Sequence, residues 1–215
     1  MIEHVYRRAS ESRTVDAVVV ATDDVRIADA VRRFGGTVRM TSPSHRTGTD
    51  RIAEVARDLT SDIVVCVQGD EPLINPAVID ELVAPLQTDA SLQMSTVCSA
   101  MTDSADYRDP NVVKVVKGQN GDALYFSRAP IPSGPPVFFK HIGLYAYRRE
   151  FLLAFAALPQ TPLELAESLE QLRALEHGVR IRTVETQYDS LGVDTPEDLE
   201  RARVRLQAAR AGEVA

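Results

Sequence analysis

Apolar residues recur along this chain in two alternating rhythms, short β-branched runs and stretches spaced by three or four, which predict strands and helices in turn. Residues 1–9 read as a charged helix and residues 18–21 as a buried strand. Residues 24–34 then place Val25, Ala28, Val31 and Phe34 on one helical face before Gly35 and Gly36 stop the helix. A short strand over 37–40 and a polar loop over 41–48 lead to a helix over 50–59, turned inward through Ile52, Val55, Ala56 and Leu59. Residues 63–67 form the expected central strand, 76–86 a helix and 94–99 another strand. The first half therefore predicts an α/β fold, a mainly parallel sheet flanked by helices.

The second half changes rhythm. Apolar runs over 112–116 and 124–126 flank Gln119-Asn120-Gly121-Asp122, and Asn-Gly between such runs signals an antiparallel hairpin. A proline-rich connection over 130–136 precedes an alternating strand over 141–147, so residues 112–148 are expected as an antiparallel extension. A short helix over 151–158 and a longer one over 162–176 follow, the latter striped by Leu165, Leu169, Leu172 and Leu175. A strand over 179–184 and a charged helix over 196–209 close the pattern. With no repeat or linker, 1–215 reads as one domain, large enough to bury about 70% of its unfolded surface.

Charge narrows the partners. Acidic residues number 31 against 24 Lys plus Arg, a net charge of −7, which disfavours nonspecific binding to nucleic acid or an anionic membrane. No apolar run approaches the ~20 residues of a membrane-spanning helix. Cys66 and Cys98 lie in apolar strand-like runs and read as buried, reduced core residues. A cytoplasmic protein is the expectation.

The densest chemistry is Gln68-Gly69-Asp70-Glu71-Pro72, directly after the central strand. A buried strand ending in glycine and two carboxylates brings negative charge to the carboxyl edge of a sheet, where α/β enzymes bind ligands. The acids either accept backbone hydrogen bonds in a turn or hold a hard cation. Near the other end, Asp194 precedes a helix whose cap is Thr195 and whose first-turn proline is Pro196. Alone it marks a helix start; with Asp70 it makes the pair of carboxylates that Mg²⁺ takes beside phosphate oxygens. No Gly-rich dinucleotide or P-loop motif, C-x-x-C, H-E-x-x-H or G-x-S-x-G is present. His45, Arg46 and Arg51 either reach a nucleotide or are surface charges. Arg128, at a strand end, either grips a carboxylate or forms a surface ion pair, and His141 is either a satisfied polar residue or a functional one.

Seven motifs in order, A-T-D-D at 21–24, H-x-T-G-T-D-R at 45–51, V-Q-G-D-E-P at 67–72, L-Y-F-S-R-A-x-I-P at 124–132, H-I-G-L-Y-A-Y-R at 141–148, L-E-Q-L-R-A-L-E at 169–176 and G-V-D-T-P-E-D-L at 192–199, together resemble the 3-deoxy-manno-octulosonate (Kdo) cytidylyltransferases, or CMP-Kdo synthetases. The resemblance implies a glycosyltransferase-A-like, Rossmann-like α/β fold, transfer of CMP from CTP to Kdo for lipopolysaccharide biosynthesis, Mg²⁺ dependence and a homodimer. It implies that Asp70 and Asp194 hold Mg²⁺ and that Thr22, Asp23, Arg51, Gln68 and Gly69 meet the nucleotide. Arg128, His141, Tyr145, Glu170 and Gln171 would line the sugar pocket. The family's opening strand and its I-P-A-R-x-x-S-T-R-L-P-G-K loop have no counterpart before Met1, so a displaced start or a truncation is expected. Losing one such charge-stabilising donor typically costs about 10²–10³ in turnover. A cytidylyltransferase for another keto-acid sugar, a noncatalytic sugar-nucleotide-binding protein and a purely structural descendant are the competing readings.

Overall fold

The computed structural model describes residues 1–134, 137–188, 192–193 and 195–212. The chain divides into two compact units, one of Met1–His45, Val67–Asp80 and Asp189–Ala215, the other of Arg46–Cys66 and Glu81–Tyr188.

In the first unit, α1 (Ile2–Ser10) buries Val5 and Ala9, one turn apart, and places Glu3 in its first turn and Arg7 and Arg8 in its last, which suits the helix dipole. Strands β1 (Val20–Thr22) and β2 (Val38–Met40) pair in parallel, Val20 opposite Val38. Between them α2 (Val25–Arg33) is capped by the Asp24 carboxylate, which accepts from the Arg26 N–H at 2.7 Å. Ala28 and Val31 of α2 are buried as expected, but Val25 is exposed. Tyr6 stacks toward Phe34 at 5.3 Å and its hydroxyl accepts from the Thr37 N–H, joining α1 to the turn after α2. Asp80 collects the Ser12 and Thr14 hydroxyls, the Thr14 N–H and Arg13. Partial burial opposes its charge, and these donors more than offset it, holding the carboxyl at about 2.

The second unit is built on β7 (Phe138–Arg148). One side of β7 pairs with β4 (Met94–Met101); the other pairs first with β5 (Lys114–Lys117) and then with β3 (Ile63–Cys66), all antiparallel. β6 (Ala123–Ser127) completes the expected hairpin with β5, its turn carrying Gly121 at φ +81°, and β8 (Ile181–Glu185) lies parallel to β4. The sheet is thus β6-β5-β7-β4-β8, with β3 also on β7. The α/β alternation and flanking helices stand, but the expected mainly parallel pairing is corrected. An apolar run buried on both faces reads alike whichever way its neighbour runs, and it is β7, within the segment read as an extension, that lies alongside β3 and β4.

Helices flank this sheet. α3 (Gly48–Ala56) starts earlier than expected because the Thr47 hydroxyl caps it, accepting from the Asp50 N–H at 3.1 Å. Its fully buried residues are Thr49, Ala53 and Ala56; Ile52 packs half-buried against the core as expected, and Val55 and Leu59 are half-buried. α4 (Pro76–Thr88) forms as expected, and the short α5 (Ser104–Arg108) is capped by Asp103. Tyr147, Leu152 and Phe155, from β7 and α6 (Arg149–Ala156), are buried in the core with Leu169 and Leu172. Cys66 and Cys98 are buried and not joined in a disulfide, as expected.

The long helix expected over 162–176 is two: α7 (Pro162–Glu167) ends at Ser168 in the left-handed conformation, φ 53°, and α8 (Gln171–Glu176) begins three residues on. Leu165 is consequently 60% exposed, whereas Leu169 and Leu172 are buried. Across the break Arg173 grips Glu164 through two nitrogens, at 2.8 and 2.5 Å, with both side chains almost fully buried. Burial disfavours the Glu164 charge; Arg173 and the Thr161 N–H overcome it and hold its carboxyl below the usual range. Glu164→Ala removes the two-point partner of a buried guanidinium, leaving it only the looser contact with Glu170 at 3.5 Å, and should cost about 3–5 kcal/mol in urea unfolding. Since the folded-state pKa is the depressed one, this pair's contribution is complete above the unfolded carboxylate range and fades as pH falls through and below it, so wild type and variant converge in stability on acidification.

Candidate functional site

In the first unit, Gln68, Gly69, Asp70 and Glu71 form the turn after β3. The Glu71 N–H donates to the Gln68 carbonyl at 3.3 Å, closing a turn that leaves Gln68 and Gly69 exposed, Asp70 half-buried and Glu71 buried. This turn meets the other acidic motif: the Val193 N–H donates to the Asp70 carbonyl at 3.0 Å, and a Cβ added at Gly192 would lie 4.0 Å from Asp70 Oδ2. The chain just before Asp194 is therefore pinned on Asp70, although Asp194 itself lies outside the described residues. The helix that follows, α9 (Pro196–Gly212), is fixed by reciprocal capping. The Thr195 hydroxyl accepts from the Asp198 N–H, and the Asp198 carboxylate accepts from the Thr195 N–H and hydroxyl.

Carboxylates drawn from two such segments are the donor set of a hard divalent cation that keeps open positions for phosphate oxygens, so these residues fit Mg²⁺. Among the described residues there is no cluster of three or more His, Cys, Asp or Glu side chains that could enclose a metal. Thr22 and Asp23 end β1; the buried Thr22 hydroxyl accepts from the Asp24 N–H at 3.1 Å and shapes the β1–α2 turn, with Asp23 exposed beside it.

Within the second unit, a bulge on β7 builds a different surface. Thr96 pairs with Tyr145 while Val97 pairs with Ile142, so Gly143 and Leu144 are extra on β7. The Thr96 hydroxyl fills this gap, donating to the Leu144 carbonyl at 2.8 Å, and lies 2.9 Å from His141 Nε2. Its single proton goes to the carbonyl, which can only accept. His141 Nε2 therefore donates to Thr96 Oγ1, and Nδ1 carries the lone pair. Burial pushes the imidazole down to about 3, and the rings of Phe126 and Tyr145 pack against it at 4.9 and 5.5 Å. His141 is thus a neutral imidazole with Nδ1 left as an acceptor. Burial, with Glu170 adding to it, likewise raises the Tyr145 phenol well above its ordinary range, so Tyr145 presents a neutral hydroxyl.

Glu170 faces inward. Its two carboxylate oxygens accept from the Thr47 and Thr49 hydroxyls, at 3.1 and 2.6 Å, and tie the start of α3 to the break between α7 and α8. Burial raises its carboxyl, against the pull of Thr49 and Arg173. Arg51 sits half-buried on the same helix. Gln171, the first residue of α8, is buried, and its Nε2 has no partner among the described residues. A buried amide donor left over in this way is what a ligand oxygen satisfies. Arg128 donates Nε to the Glu167 carbonyl and Nη1 to the Pro110 carbonyl, at 2.9 and 3.1 Å; Nη2 has no partner among the described residues. The surface-ion-pair reading of Arg128 does not hold there: its partners are carbonyls.

Two groups escaped the sequence reading. Glu167 accepts from the Ser127 hydroxyl and the Arg128 N–H, and Lys114 binds three carbonyls under Arg128. A lysine inside the apolar run of β5 was the available signal. Arg128, His141, Tyr145 and Gln171 of the second unit offer a guanidinium edge, an acceptor nitrogen, a phenol and an amide donor, groups of the kind that bind a polyhydroxylated acid.

Residues 1–181 match the cytidylyltransferase family, and the chain belongs to it. Over 221 residues the chain is 55% identical to the 3-deoxy-manno-octulosonate cytidylyltransferase of Geobacter metallireducens, covering 96% of this chain and 87% of that one. Among solved structures, a CMP:2-keto-3-deoxy-manno-octonic acid synthetase complexed with CTP superposes with a TM-score of 0.92 at 43% identity, over 97% of this chain and 88% of that one. A 4-diphosphocytidyl-2C-methyl-D-erythritol synthase, 16% identical with a TM-score of 0.65, shares the fold.

The assigned tautomer has a direct readout. The His141 Nε2–H should be visible by ¹⁵N NMR and unchanged from pH 8 to pH 5; protonation near the ordinary value of about 6.5 would overturn the assignment. Because the folded-state pKa is lowered, the contribution of His141 to stability is complete above the unfolded value and lost as pH falls toward about 3. Thr96→Val should broaden or remove the Nε2–H signal.

Proposed function

We propose that this chain transfers CMP from CTP to 3-deoxy-D-manno-octulosonate, giving CMP-Kdo and pyrophosphate. The observation that carries this reading is the near full-length likeness to the CTP-bound synthetase, joined to a second-unit surface whose unspent hydrogen-bonding groups suit an acidic, hydroxylated sugar. In the reaction the anomeric hydroxyl of Kdo attacks the α-phosphorus of CTP, the new P–O bond forms as the bond to pyrophosphate breaks, and the hydroxyl proton is lost to solvent. Positioning and charge neutralisation carry most of the rate.

Asp70 and Asp194 hold Mg²⁺ in this reading, and the Val193–Asp70 hydrogen bond supports it by pinning the two motifs together. When bound, the ion neutralises phosphate oxygens and sharpens the electrophilic phosphorus. Thr22, Asp23, Gln68 and Gly69 receive the nucleotide, and Arg51 carries the nucleotide role that the motif match gives it. Arg128 pairs with the sugar carboxylate, His141 accepts from a sugar hydroxyl, and Tyr145 and Gln171 contribute hydroxyl and amide contacts. Glu170, occupied by Thr47 and Thr49, holds α3 in place for them.

The product serves lipopolysaccharide assembly, and the enzyme works in the cytoplasm, where CTP is made. No helix among the described residues is long and apolar enough to cross a membrane. A homodimer is the proposed state, favoured by exposed Leu124, Val137 and Leu165 in the second unit, and sedimentation should give twice the chain mass.

Pyrophosphate release measured with each component omitted in turn should require CTP, Kdo and Mg²⁺ together; release without Kdo, or none with all three, would count against the reading. Asp70→Asn should lower Mg²⁺-dependent turnover by at least about 10² with the melting temperature little changed. Retained activity would remove Asp70 from the metal site.

A further inference from the structure

We infer that Lys114 is a positioning residue for Arg128, fixing both the backbone and the guanidinium of the residue that meets the carboxylate of the acidic sugar. The inference rests on the functional reading above and goes beyond it, since Lys114 belongs to none of the motifs that carry that reading.

Lys114 is fully buried in β5, where an apolar residue would ordinarily stand. Its ammonium has three protons, and three carbonyls take them: Asp109 at 2.9 Å, Val112 at 2.6 Å and Arg128 at 2.6 Å. The first two bracket the turn over 109–112, closed by the Val112 N–H on the Asp109 carbonyl. That turn presents the Pro110 carbonyl, which receives Arg128 Nη1. The third bond holds Arg128's own carbonyl. One cation thus fixes the residue and the turn against which its side chain lies.

Glu167 supplies the opposite jaw. Its carboxylate takes the Arg128 N–H at 2.9 Å and the Ser127 hydroxyl at 2.7 Å, and its carbonyl takes Arg128 Nε at 2.9 Å. Of the five guanidinium N–H groups, these contacts use two. The Nη2 protons and the second Nη1 proton remain, an end-on fork suited to a carboxylate. Lys114 also adds positive charge beneath this fork: its hydrogen bonds all go to neutral carbonyls, while the Asp109 and Glu167 carboxylates act only through space. Burial disfavours that charge, and Arg128 disfavours it further, so an anion at Arg128 relieves both cations.

The test uses Lys114→Met, which keeps the stem and removes the charge, and Glu167→Gln, which loosens the other jaw should the buried methionine prevent folding. Each variant is read by KM for Kdo, KM for CTP, kcat and hydrogen exchange at Arg128 Nε by ¹⁵N NMR. The expected result is a KM for Kdo raised about tenfold, a KM for CTP changed less than about twofold, and faster Nε exchange. On an Arg128→Met background, Lys114→Met should raise KM for Kdo no further. An unchanged Nε signal and unchanged KM for Kdo in the variant that folds would overturn the inference. Equal rises in both KM values, or full additivity with Arg128→Met, would do so too by making Lys114 merely structural. A wild-type chain that does not turn over Kdo would remove the functional reading instead, and the NMR signal of the free protein would still decide whether Lys114 holds Arg128.

Discussion

The left-handed turn at Ser168 decides where three carboxylates point. Glu164, Glu167 and Glu170 follow one another at intervals of three, and on an unbroken helix they would share a sector about 120° wide. Like charges so crowded repel, and no single face of a helix could supply each with a different partner. With the helix stopped at Ser168, Glu164 receives Arg173 from α8, Glu167 turns to Ser127 and Arg128 at the end of β6, and Glu170 reaches the hydroxyls at the start of α3. A non-glycine residue at positive φ costs on the order of 1–2 kcal/mol, and the bonds made on either side of it offset that cost.

The division of labour among these acids separates stability from recognition. Glu164 cancels the charge of a buried arginine whose guanidinium also lies 5.0 Å over the Phe155 ring, so this pair belongs to the core. Glu170 holds α3, on which Arg51 is carried. Glu167 acts on the backbone and, through its carbonyl, on the side chain of Arg128. A bulge does comparable work on β7: by leaving Gly143 and Leu144 unpaired opposite β4, it makes room for Thr96, and Thr96 in turn selects the tautomer of His141. In both places irregular backbone sets the orientation of a functional side chain, which is where departures from ideal helix and strand are expected.

Much of this was legible in the chain. The alternation of strand and helix, the Asn120-Gly121 hairpin, the Thr195 cap and the pairing of the Asp70 motif with the segment before Asp194 all rest on local signals or on chemistry that calls for a partner. What escaped was non-local. Strand direction is invisible in an apolar run buried on both faces, so β3 was expected beside parallel neighbours and is found on β7. The leucine stripe over 165–175 fits one helix as well as two; only the tertiary demand on Glu167 and Glu170 breaks it, and Leu165 is left exposed as a result. The start of the helix at Gly48 was misplaced by two residues because Thr49 is polar in sequence yet buried against Glu170.

Charge ties the two halves of the argument together. The chain is acidic, −7 overall, yet its proposed substrates are anions, so its long-range field opposes their approach. At physiological salt that field is screened beyond about 8 Å, and recognition depends on cations held close to the ligand. Among the described residues, the second unit contains two nearly fully buried cations that solve different problems. Arg173 is neutralised by a carboxylate at 2.5 Å and has little charge left to offer a ligand. Lys114 gives all its hydrogen bonds to carbonyl dipoles, and the Asp109 and Glu167 carboxylates offset its charge only through space. A buried cation arranged in this second way is costly for folding alone, and the cost is reasonable where an anion completes the site.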